Sequence, residues 1–108
     1  MKVKELKLKD LDELIEYYES YPSDIHLHTF KFLRYTWNKT KIISDVDLYR
    51  INFEEDEIYD SLRLTIYSNE WVKALELALN FFEKQEDFNT CYKIKSLLTQ
   101  IQKENLVS

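Results

Sequence analysis

The chain contains no glycine among its 108 residues. Phosphate-binding loops, dinucleotide fingerprints and nucleophile elbows all need backbone that glycine alone adopts cheaply, so these are excluded. Tight type I′ and II′ hairpins lean on glycine too, which disfavours a hairpin-rich β fold. A single proline, Pro22, leaves long stretches without a breaker. A single cysteine, Cys91, rules out an internal disulfide framework and a cysteine-based zinc cluster, and fits a reducing, cytoplasmic setting. No run of about 18 apolar residues is present, so nothing is long and apolar enough to span a membrane. The opening Met1-Lys2-Val3-Lys4-Glu5 is not followed by the apolar segment a secretory signal requires. Alanine is scarce and lysine outnumbers arginine twelve to three, a preference for AT-rich codons that points to a low-GC genome, of a phage or a bacterium.

What is present is a real core: 44% of residues are hydrophobic in a chain long enough for one domain, 1–108. The net charge of −5 is distributed in blocks. Residues 1–9 sum to +3, residues 10–24 to −6, residues 25–41 to +4 and residues 42–60 to −6. Residues 61–90 sum to −2 and residues 91–108 to +2. Acids in first turns and bases in last turns of helices explain part of this. A basic face and an acidic face for different partners is the sharper reading.

Helical periodicity is clear in four places. Leu8, Leu11, Leu14, Ile15, Tyr18 and Tyr21 share one side of a helix over 8–21, which Pro22 is expected to stop. Over 24–39, with Ser23 or Asp24 as cap, Ile25, Thr29, Phe30, Phe32, Leu33, Thr36 and Trp37 cover one half of the wheel. Over 69–85, apolar residues from Trp71 to Phe82 wrap most of the circumference, so this helix needs cover on several sides. Over 88–104, Phe88, Cys91, Ile94, Leu98 and Ile101 form a stripe, and the short link before it predicts an antiparallel helical hairpin. Residues 42–67 are ambiguous. Asn52 and Glu55 have capping-box spacing ahead of a helix over 53–67. Against that, Leu62-Arg63-Leu64-Thr65-Ile66-Tyr67 alternates as a strand does. The expectation is a mainly α domain of four to six helices. The alternative is an α+β fold with a short hairpin joining 46–53 to 60–67.

Residues 87–98, Asp-Phe-Asn-Thr-Cys-Tyr-Lys-Ile-Lys-Ser-Leu-Leu, resemble the second helix of UVR-type helical hairpins. Phe88, Cys91, Ile94, Lys95 and Leu98 match that pattern in type, while Tyr92 stands where the family has a small residue. The resemblance implies contact with another protein rather than catalysis.

Candidate chemistry is sparse. His26 and His28 could share a metal on a strand, but on a helix they point about 160° apart and cannot chelate. Cys91 sits on a buried stripe, where a free cysteine behaves as a small hydrophobe. The carboxylates form no pair that stands out from a solvated face, and no calcium loop is present. The chain is therefore expected to be no enzyme and to hold no cofactor or metal. Tyr17, Tyr35, Tyr49, Tyr67 and Tyr92 fall off the core stripes, and exposed tyrosine favours interfaces. No acid interrupts residues 25–41, where His28, Lys31, Arg34, Tyr35 and Asn38 share a face that Lys39 extends. This face is the expected partner-binding site. The expected role is a protein–protein interaction module, such as a phage or mobile-element inhibitor or assembly factor. A nucleic-acid binder using 24–39, or an acidic DNA mimic using 45–60, is the alternative. Oligomeric state is not legible.

Overall fold

A computed structural model describes residues 2–107. The chain runs β1 (Lys4–Leu8), α1 (Leu11–Ser20), α2 (Pro22–Thr40), β2 (Val46–Phe53), β3 (Ser61–Ile66), a 3-10 turn (Ser68–Glu70), α3 (Trp71–Lys84) and α4 (Phe88–Val107). The three strands form one sheet in the order β1-β2-β3. β1 lies parallel to β2 and β3 antiparallel to it. Parallel neighbours need a crossover, and α1 with α2 supplies it.

The mainly α expectation is overturned: four helices share the chain with a mixed sheet, and the α+β alternative fits. The helix expected over 53–67 does not form. Asn52, the expected cap, is paired in the ladder opposite Ser61, and the alternation from Leu62 to Ile66 is that of β3. Helix propensity differences amount to about 0.7 kcal/mol per ordinary residue. Burying a large apolar side chain is worth about 1.5–3 kcal/mol. β2 buries Val46, Leu48, Tyr49, Ile51 and Phe53, so packing decides. Four residues of β1 lay in a stretch read for its positive charge, and Leu8, expected to open the helix over 8–21, ends the strand instead. Leu6 and Leu8 face inward beside Ile51 and Phe53, while Glu5 and Lys7 are exposed.

β2 is the central strand and carries a bulge at Leu48, where the register steps from Asp47↔Thr65 to Tyr49↔Leu64. The bulge turns two consecutive residues, Leu48 and Tyr49, into the core. The opposite face of the sheet is polar. Arg50 pairs with Glu5 at 3.3 Å, and Asp47 accepts from Thr65 Oγ1 at 2.6 Å.

Asp10 caps α1 by accepting from the Glu13 amide. Pro22 does not simply end that helix. It opens α2 at a position whose N–H would be unpaired anyway. α2 buries Thr29, Phe30, Phe32, Leu33 and Trp37, and it touches α1, β2 and α3. α3 in turn buries Trp71, Leu75, Ala78 and Phe82 and carries α4 against it. Cys91, Ile94, Leu97, Leu98 and Ile101 are the buried positions of α4. Phe88, expected on that stripe, is exposed, and so is Leu77 of α3. Tyr49, read as off the core, is buried, and its stripe on β2 was hidden by the bulge.

With no glycine to use, α3 closes on Glu86 at φ 58°. The Asp87 amide reaches back to Phe82 O at 3.0 Å and the Glu86 amide to Glu83 O at 3.1 Å, a Schellman closure. Asp87 then caps α4 through the Thr90 amide and hydroxyl. A left-handed conformation costs a residue with a Cβ about 1–2 kcal/mol. Glu86→Gly is therefore expected to stabilise the protein by about 1 kcal/mol in urea denaturation, net of glycine's greater unfolded-state entropy.

Candidate functional site

α2 is straddled by its neighbours, and only one strip of it meets solvent. The buried half faces α3 and the sheet, leaving Lys31, Tyr35, Asn38 and Lys39 exposed. At one margin of this strip α2 meets α4. There Arg34 and Asn38 form one wall of a hollow of about 150 Å³, and Tyr92, Lys93, Ser96 and Gln100 form the other, with Leu97 beneath. Tyr92, Ser96 and Gln100 also border a second, shallower depression along α4 with Lys95 and Thr99. Tyr92 therefore stands between two hollows, and it is 74% exposed.

The electrostatics of the groove are one-sided. No carboxylate lines the first hollow, whereas Arg34 and Lys93 both do. Among the described residues the ion pairs are Lys9–Glu55, Arg50–Glu5, Arg63–Asp47 and Lys95–Glu83, none of which involves α2. The acids of residues 10–20 and 54–60 thus do not neutralise this helix by contact. Its cations rest on aromatic rings one turn away instead. Arg34 lies 4.8 Å from the Phe30 ring centre, Lys39 lies 5.7 Å from that of Tyr35, and Lys41 lies 5.5 Å from that of Trp37. A ring face holds a cation in place without cancelling its charge.

Of the six residues expected to bind a partner, Arg34 and Asn38 enter the groove, and Lys31, Tyr35 and Lys39 flank it on exposed surface. His28 is set apart at the sheet end. Its Nε2 lies 2.8 Å from the carbonyl oxygen of Leu48, the bulge residue, and its ring packs on Phe32 and Tyr49. Burial pushes its pKa down against the opposing effect of the Leu48 carbonyl, and the nearby Lys4 charge adds to the lowering. His26 stacks on Phe81 at 4.9 Å, and burial likewise lowers its pKa. Sequence reasoning missed the α4 wall of the groove. Tyr92 had signalled it, as a large residue off its core stripe, but the pairing of α2 with α4 is purely tertiary.

Little else in the molecule offers chemistry. Cys91 is buried, its thiol pushed up by burial and by Glu83, and its Sγ faces the Leu79 carbonyl oxygen at 3.9 Å. Among the described residues no cluster of three or more metal-ligating side chains occurs. Comparison with protein-family models, curated proteins and solved structures finds no match for this chain.

Two expectations follow. Cys91 should react with a thiol reagent only as fast as the protein unfolds, measurable by absorbance across a urea series. The unfolded chain, with ordinary histidines, binds more protons than the folded one just below about pH 6.5. The histidine contribution to stability is therefore complete above that pH and lost as pH falls through the lowered folded values. Calorimetric melting between about pH 7.5 and pH 5.5 should show a falling Tm, and His26→Phe with His28→Gln should flatten the slope.

Proposed function

We propose that the protein acts without catalysis, as a cytoplasmic binding module that docks an acidic segment of another protein along α2 and into the α2–α4 groove. The observation that carries this reading is the set of cations on α2 that no carboxylate contacts, beside a groove lined by Arg34 and Lys93. Arg34, Tyr35 and Tyr92 are of the types enriched at interface hot spots. A half-buried guanidinium braced on Phe30 is ordered before a partner arrives, which lowers the entropy cost of binding. A phage or mobile-element setting, with a host or viral complex as partner, remains the reading of the codon preference.

The chain's overall negative charge opposes long-range attraction to nucleic acid. The DNA-mimic alternative draws less support still. Asp45 accepts from the Ser68 amide, Asp47 from Thr65, and Asp56 from the Ile58 and Tyr59 amides, while Glu55 pairs with Lys9. These acids hold the strand ends and the β2–β3 loop together rather than forming one free face.

The test is Lys31→Glu with Arg34→Glu, assayed by affinity capture from the native host with mass spectrometry, and by fluorescence anisotropy with a single-stranded oligonucleotide. Circular dichroism should be unchanged and stability should shift by about 0.5 kcal/mol or less. Capture of the partner should be lost, and oligonucleotide binding should be negligible in both proteins at physiological salt. Undiminished capture by the double variant would remove this face from the binding site. Salt-dependent oligonucleotide binding by the wild type, lost in the variant, would replace the protein partner with nucleic acid.

A further inference from the structure

β3 is an edge strand, with β2 as its only neighbour in the sheet. Backbone pairing in an antiparallel ladder alternates, and one bond fixes its phase. The Phe53 amide donates to the Asp60 carbonyl oxygen at 2.9 Å, so Leu62 and Leu64 also turn their backbone groups to β2. Ser61, Arg63 and Thr65 turn theirs away from the sheet, and among the described residues no other backbone group meets them. The far edge, β1, is defended by charge, since Lys4, Glu5 and Lys7 make up most of it. β3 has Arg63 alone, with no proline and no bulge of its own.

The side chains along this edge are sorted by face. Leu62, Leu64 and Ile66 lie on the helix side, where they are half-buried against the core. Arg63 and Thr65 lie on the polar side, where both reach Asp47. Exposed apolar side chains stand at both ends of the strand: Ile58 and Tyr59 before it, Tyr67 after it. Leu77 of α3, which lines one apolar hollow with Leu64 and Ile66, is 52% exposed.

A second copy of the chain fits this edge. Outward-facing backbone must meet outward-facing backbone, which restricts a two-fold antiparallel pairing to few registers. One sets Arg63 against Arg63 of the second copy, and like charges directly opposite are destabilising. A register displaced toward Asp60 sets that acid against Leu64. One displaced far toward Tyr67 meets an amide and a carbonyl already bonded to Glu70. The remaining register sets each Arg63 opposite Thr65 of the other copy, beside the Asp47 carboxylate that Thr65 holds. It also sets Leu62 opposite Ile66, and Leu64 opposite Leu64 on the two-fold axis, as closely spaced non-hydrogen-bonded pairs. The helix side is then apolar along the whole seam, and no like charges are opposed on the polar side. The same antiparallel run brings Tyr67 of one copy toward Ile58 and Tyr59 of the other. We infer that the protein forms a two-fold dimer through β3, which joins the two three-stranded sheets into one with Leu64 on its axis.

Sedimentation velocity of the whole chain should show monomer giving way to dimer as concentration rises from about 1 µM to about 500 µM. Arg63→Pro removes a backbone N–H that faces away from β2, so the fold should survive by circular dichroism. Dimerisation should weaken about tenfold or more, since each copy loses one bond across the seam. Arg63→Ala keeps that N–H and should dimerise within a few-fold of the wild type. Leu64→Cys should form a disulfide-linked dimer under mild oxidation, because the axial pair brings the two Cα atoms within bridging distance. Thr65→Cys, opposite Arg63, should not link, and the buried Cys91 gives no background. Monomer alone at about 500 µM, undiminished dimerisation of a folded Arg63→Pro variant, or no link through Leu64→Cys would each overturn the inference. Should Arg63→Pro fail to fold, the two cysteine variants decide. Lys31→Glu with Arg34→Glu should dimerise as the wild type does, so the outcome is separate from that of the groove.

Discussion

α2 has to be covered on two sides at once, and the rest of the structure follows from that requirement. Its buried arc runs through Thr29, Phe30, Phe32, Leu33 and Trp37, too wide for one neighbour to hide. The sheet takes one flank and α3 the other, with α4 behind α3. The His28–Leu48 contact fastens the sheet flank at the bulge residue of β2. What is left of α2 is a strip with α4 along one margin. The strip is cationic because every acid of residues 25–41 is missing, not because acids have been drawn away.

The same arrangement leaves a hollow on each side of α2 rather than one deep cleft. A helix wedged between a twisted sheet and a helical pair cannot fill both corners. On the α4 side, the corner is walled by polar and cationic side chains. On the sheet side, it is mostly apolar. Trp71 places its indole N–H on the Ser44 carbonyl oxygen at 2.8 Å, so a buried polar group here can be satisfied when the backbone reaches it. Trp37, like Tyr49, has a buried polar atom with no partner, and it lies on the same helix-wedged core.

The helical half of this fold was legible because its periodicity is long. Twelve or more residues of repeating pattern identify α2, α3 and α4 even where end residues such as Phe88 point outward. The sheet was legible only in part. β3 alternates without a break, and the alternative hairpin expected over 46–53 and 60–67 falls on β2 and β3. β2 itself was obscured because the bulge puts Leu48 beside Tyr49 on one face, which breaks the alternation. β1 offers only Leu6 and Leu8, too few to distinguish from the start of the next helix. Of the candidate site, the α2 half could be read from charge and wheel position. The α4 half could not, since no local pattern says which helix will lie beside which. The absence of glycine was a poor guide to the turns. Lys41 and Glu86 adopt left-handed backbone despite their Cβ atoms.

The parallel pairing of β1 with β2 has a consequence for how the chain assembles. Glu5 meets Arg50, which lies 45 positions further along the chain. During synthesis α1 and α2 can wind locally, but β1 has no neighbour in the sheet until β2 has left the ribosome. α2 cannot hide its aromatic face until α3 follows. β1 is thus among the last of these elements to be seated, and no fragment ending before α3 has a finished core. Such non-local closure slows folding relative to a simple helical bundle and makes it a single cooperative event. In the interval, the sticky faces of Phe30, Leu33 and Trp37 are open to whatever chaperone or neighbour is at hand.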